Sequence, residues 1–139
     1  MRTAFTLVEL MIMLAVLGIL ATIGVPRLGA LRDSAAVHGA ATELMTELAV
    51  ARQTAIARGV RVAVLLRPPP GTVTVAADAD TILIRSLHAD HGVTLTATRD
   101  SIAYGPIGLG YGAANMSAIV RRGRAADTVV VSRLGRVRR

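Results

Sequence analysis

The chain has 139 residues, enough for one domain, with 53% hydrophobic residues, a net charge of +7 and no cysteine. Disulfides, thiolate zinc sites and cysteine nucleophiles are therefore excluded. With 2% aromatic residues and no tryptophan, a base-stacking platform for single-stranded nucleic acid is not expected either. So large an apolar share calls for a long apolar segment. All 16 basic residues are arginine, a choice that fits codon usage in a GC-rich genome and is not by itself a sign of nucleic-acid binding. The excess of positive charge still calls for an acidic partner or another reason.

From Phe5 to Val25 the chain is almost wholly apolar over 21 residues. As a helix this run is about 31 Å long, enough to cross the hydrocarbon layer of a membrane. A secretory signal peptide fits poorly: only Arg2 precedes the run, the apolar core is too long, and helix-forming sequence follows where a cleavage site should stand. A plain signal anchor is the second alternative. Glu9 separates the readings, because a lone carboxylate inside an apolar run is costly and normally has a partner; the bland alternative leaves it at headgroup level.

The string Ala4-Phe5-Thr6-Leu7-Val8-Glu9-Leu10 resembles the prepilin cleavage and N-methylation motif of type IV pilins and type II secretion pseudopilins. The resemblance implies that a prepilin peptidase removes a leader, residues 1–4, and methylates Phe5. It also implies that Glu9 neutralises the terminal amine of a neighbouring subunit. The family usually has Gly before the cut, where this chain has Ala4. An ion pair in an apolar filament core is favourable only with both partners present; one lone charge there costs roughly several kcal/mol.

Pro26 follows the run, and in the family this position kinks the long helix without ending it. Beyond it Leu28, Leu31, Ala35, Ala41, Leu44, Met45, Leu48, Ala51, Ala55 and Ile56 recur at spacings near three and four, with Arg32, Asp33, Glu43, Glu47, Arg52 and Arg58 largely between them. This predicts an amphipathic helix to about Arg58 with Gly59 as its stop. The expected organisation is residues 1–4 as leader, 5–25 as the membrane and filament-core half of the helix, 26–59 as its amphipathic half, and 60–139 as a β-rich head. Strands are expected over Val60–Leu66, Thr72–Ala77, Thr81–Leu87, Val93–Thr98, Met116–Val120 and Thr128–Ser132. Turns are expected at Pro68-Pro69-Pro70-Gly71, Asp78-Ala79-Asp80 and Arg122-Gly123-Arg124, and Gly105–Gly112 is expected to be a loop. The fold class is α+β: one long N-terminal helix packed on a small antiparallel sheet domain.

No catalytic constellation assembles from these residues, so the protein is not expected to be an enzyme, and no cofactor or metal is implied. The Gly108–Gly112 run lacks the strand-to-helix setting of a nucleotide loop. Asp78 and Asp80 lack a calcium ligand set and fit a turn better. His38, His88 and His91 lack metal-ligand spacing, and His88 and His91 are expected to be solvated loop residues.

The head resembles the FimT/FimU minor pilins and GspH pseudopilins. The resemblance rests on Ala51–Ala55, on Ile102–Gly108, and on Val129–Arg138. It implies a type IV pilin fold, a single-pass bacterial inner-membrane protein with its C-terminal domain in the periplasm, and other pilins and the peptidase as partners. Gly135-Arg136-Val137-Arg138 resembles the element that in FimT-type competence pilins implicates two arginines in binding DNA. Arg121, Arg122, Arg124, Arg133, Arg136, Arg138 and Arg139 crowd this region against Asp127 alone, and such arginines can grip successive phosphates of double-stranded DNA. The bland alternative is a solvated edge strand kept from aggregating by its charge. Three functions follow: a filament subunit that also takes up DNA, a purely structural GspH-type secretion pseudopilin, and a signal-anchored domain with no filament role.

Overall fold

A computed structural model of the chain describes residues 5–67, 71–78, 80–112 and 115–139. The expected leader with Ala4, the Pro68-Pro69-Pro70 turn and Ala79 fall outside the described residues. The first helix, α1, runs over Leu7–Arg58 and continues through Pro26. The backbone partitions into two compact units, one ending at Arg32 and the other spanning Asp33–Arg139.

In the first unit α1 is apolar and exposed, long and apolar enough to cross a membrane. Thr6 and Glu9 start it. The Thr6 amide and hydroxyl donate to Glu9 Oε2 at 2.9 and 3.0 Å, and the Glu9 amide donates back to the Thr6 hydroxyl at 3.2 Å. This is a capping box, which satisfies amides that the first turn leaves without partners.

In the second unit the helix ends at Gly59, whose φ of +65° suits a residue without Cβ. Its buried stripe is Val37, Ala40, Ala41, Leu44, Glu47, Leu48, Ala51 and Ala55. Four of these are alanine, so the backbone can lie close to what it packs on. Around it are two antiparallel four-stranded sheets. The first has the order β3-β2-β1-β5, formed by β1 (Val62–Arg67), β2 (Thr72–Ala77), β3 (Asp80–Ser86) and β5 (Ser101–Tyr104). The second has the order β4-β6-β7-β8, formed by β4 (Thr94–Ala97), β6 (Met116–Arg122), β7 (Ala125–Val131) and β8 (Val137–Arg138). Alternating burial along β1, β2 and β6 sends Val62, Val64, Leu66, Val73, Val75, Ala118 and Val120 into one core with the helix stripe.

The α+β expectation matches this structure. Three elements differ from the sequence reading. β5 and the short β8 were not expected. Thr81–Leu87 does not end as a strand: Leu87–His91 forms a one-turn helix, α2, capped by the Ser86 hydroxyl and closed by Gly92 at φ +63°. Ser86 and Gly92 are start and stop signals that were legible in the sequence. His88 and His91 consequently sit on a short helix and not in a loop; His88 stays exposed as expected, and His91 is half-buried. His88 Nδ1 donates to the Val93 carbonyl at 3.0 Å, and His91 Nε2 stands 2.7 Å from Glu43 Oε2.

Candidate assembly and nucleic-acid interface

Phe5 is exposed, and Glu9 stands on the first turn of α1 with its carboxylate held by Thr6. Gln or Glu at this position caps a helix equally well, so the cap explains a polar residue but not its charge. Pro26 lies inside the helix, in the exposed apolar unit.

The C-terminal arginines divide by their surroundings. Arg122 leaves β6 and donates through Nε to Asp33 Oδ1 at 3.0 Å, and its Nη1 reaches the His91 carbonyl. It ties the second sheet to α1 and to α2. Gly123, beside it, has φ +54°, and a Cβ there would stand 2.5 Å from Asp33 Oδ2. Arg139 forms an ion pair with Asp127 that lacks hydrogen-bond alignment, and its Nη1 lies 3.2 Å from His38 Nε2. Arg121, Arg124, Arg133, Arg136 and Arg138 are exposed. Arg138 on the edge strand β8 and Arg136 just before it are both exposed, on either side of the half-buried Val137.

A third cluster was not foreseen. The loop after β5 folds back on itself and against the chain's end. Gly105 donates to the Leu109 carbonyl and Gly108 to the Gly105 carbonyl, both at 2.9 Å, and Gly110 donates to the Arg133 carbonyl at 3.2 Å. Arg52 of α1 donates through Nε to the Gly108 carbonyl at 2.8 Å. Arg52 therefore belongs to the frame and not to a solvated helix face. Gly135, at φ +71°, sits so close that an added Cβ would meet the Gly108 carbonyl at 2.9 Å and the Tyr104 ring at 3.1 Å. Tyr104 is fully buried, its hydroxyl finds no partner among the described residues, and burial pushes its pKa up to about 12. The three sequence segments that carried the family resemblance, Ala51–Ala55, Ile102–Gly108 and Val129–Arg138, thus meet in one place.

Glu47, on the helix stripe, is the one buried charged residue among the described residues. Burial raises its pKa, partly offset by Arg85 Nε at 3.9 Å, while Glu43 adds to the rise.

A family model described as Type II transport protein GspH matches residues 40–135. The chain is also similar in structure to the type IV minor pilin FimU of Pseudomonas aeruginosa in two crystal forms, with TM-scores of 0.63 and 0.60. Both are 13% identical and cover 73% of this chain, and 86% and 90% of their own. At that identity the likeness is one of fold. No curated protein matches the sequence. The matched interval holds most of the buried stripe of α1, the first sheet, β4, β6 and β7 of the second, and the loop framed by Arg52 and Gly135; β8 lies just beyond it.

Proposed function

This chain belongs to the family of the type II transport protein GspH, and from that premise we propose how its minor-pilin role is divided along its length. It is a membrane-anchored pilin or pseudopilin subunit that assembles with other pilins in a filament. The observation that carries the finer reading is α1 itself. One helix carries an exposed apolar run holding a single carboxylate, Glu9, and then a stripe buried under two sheets. A lone chain in water gains nothing from the exposed run; a membrane, and afterwards the core of a filament, buries it. A prepilin peptidase cuts between Ala4 and Phe5 and the new amine is methylated. Glu9 then exchanges its cap for the amine of a neighbouring subunit, and the head lies in the periplasm. Intact-mass measurement of protein extracted from membranes should show loss of residues 1–4 and one added methyl group. A mature chain that retains Met1 beside an active prepilin peptidase contradicts this processing.

A second reading concerns DNA. Arg136, just before the edge strand β8, and Arg138, on it, are both exposed, as are Arg124, Arg121 and Arg133, and this supports capture of double-stranded DNA by its phosphates. Binding is then sequence-blind and steeply salt-dependent, with a log–log slope of about −0.9 per phosphate engaged. Two or three arginines give a slope of about −2 to −3 and weak affinity, roughly 10⁻⁴–10⁻⁶ M. A full-length chain in detergent with no salt-dependent retention of duplex DNA leaves the structural pseudopilin role standing alone.

A further inference from the structure

We propose that the loop after β5 and the turn before β8 form a preorganised docking knob for a different filament subunit, one whose surface offers an apolar recess rimmed by carboxylates. The inference rests on the filament reading and names one of its contacts. Ile107 is 77% exposed, Leu134 57%, Ile56 52% and Leu109 42%. They are not scattered. Ile56 lies against Gly108, the Arg133 carbonyl accepts from Gly110, and Gly135 packs on the Gly108 carbonyl, which places the four side chains around one framed loop. Tips of glycine-rich turns are normally polar, and an apolar cluster of this kind on a small head marks an interaction site. The frame is rigid: Arg52, Gly105 and Gly135 hold the loop by the contacts already described. A partner therefore meets the knob without ordering it, which removes part of the entropic penalty of association.

Charge selects the occupant. Arg133 and Arg136 flank Leu134 and are both exposed, so the rim of the knob is cationic. A second copy of this chain carries the same +7 and would bring like charge against that rim. An acidic rim around an apolar recess matches it. Head-to-tail contacts between unlike surfaces are also the kind that build open helical filaments.

The test places a photo-crosslinking residue at Ile107, at Leu134, and, as a control, at Ile84, which is 64% exposed on β3. The full-length chain is used, in cells assembling the filament. Expected are adducts from positions 107 and 134 and none from 84. Peptide mapping should place the partner's crosslinked residue beside Asp or Glu. Arg133→Glu should cut adduct yield roughly tenfold, and replacing the mapped carboxylate by Arg should restore it. An adduct with a second copy, with nucleic acid or with lipid overturns the proposal. So do the absence of adducts and a yield indifferent to Arg133→Glu. Sheared-filament fractions keep the two readings apart. The chain present in filaments without adducts refutes the knob alone. Charge-swappable adducts from a chain absent from filaments refute the filament role and leave the knob.

Discussion

Arg122 donates to Asp33 across 89 residues of sequence, in a 3.0 Å charge-assisted hydrogen bond that joins the end of β6 to the start of the buried helix. An arginine held this way is poorly placed to serve a phosphate. Arg122→Gln should lower stability by roughly 1 kcal/mol, since both side chains are about a third exposed. The melting temperature should fall by about 4–8 °C for a head of this size. Any retention of duplex DNA should change little. The Arg136→Gln, Arg138→Gln double variant should do the reverse, holding its melting temperature while losing DNA retention. Arg67→Gln, at an exposed position on β1, is the matched control. Equal DNA loss from Arg122 and from Arg136 with Arg138 would contradict the division.

Glu9 serves two chemistries that one pair of substitutions separates. Glu9→Gln keeps a side-chain acceptor for the Thr6 amide and hydroxyl but removes the charge; Glu9→Ala removes both. Both variants should insert in the membrane, since losing a charge favours insertion. Both should be depleted from sheared filaments if the carboxylate meets a neighbour's amine. Normal incorporation of the Gln variant beside loss of the Ala variant would reduce Glu9 to a helix cap.

Gly135→Ala should be among the most damaging single substitutions in the head. A Cβ there meets the Gly108 carbonyl oxygen, a backbone atom, at 2.9 Å and at a φ of +71° that alanine disfavours. A loss of about 2–3 kcal/mol is expected, read by thermal or urea unfolding. Gly112→Ala shares the left-handed φ but meets nothing within 4 Å, and should cost about 1 kcal/mol.

Tyr104→Phe should be neutral or stabilising by up to about 1 kcal/mol, because the hydroxyl it removes is buried without a partner among the described residues. The parent should weaken in alkali where the variant does not. Its folded pKa near 12 lies above the ordinary value of 10. Ionisation therefore favours the unfolded chain from about pH 10 and takes up to about 2–3 kcal/mol by pH 12. The chain has no lysine and no cysteine to titrate in this window. Parallel alkaline curves for parent and variant would contradict the burial argument.

Glu47→Gln tests the acidic side. Burial raises the Glu47 pKa, so the folded state disfavours its charged form. That penalty is absent well below the ordinary glutamate pKa of about 4.3, where both states are protonated, and grows as pH rises through the folded value. The Gln variant should melt higher than the parent at pH 7, and the gap should close as pH falls below about 4. A gap independent of pH would assign the effect to packing.

The membrane-length helix, its amphipathic continuation to Arg58, the paired head strands and the family were legible in the sequence because each rests on local pattern: an uninterrupted apolar run, a three-and-four spacing, alternation, and the segments Ala51–Ala55, Ile102–Gly108 and Val129–Arg138. The capping box is legible too, as Thr6 followed three residues later by Glu9. What tertiary structure alone decided is which like residues do unlike work. Arg122 and Arg139 read as members of a C-terminal basic set and Arg52 as part of a polar helix face, yet long-range contacts make them struts to Asp33, Asp127 and Gly108, while Arg133, Arg136 and Arg138 stay in solvent. The partners lie from 12 to 89 residues away. A guanidinium's role depends on which acceptor the fold brings within about 3 Å, and no periodicity in the chain records that distance.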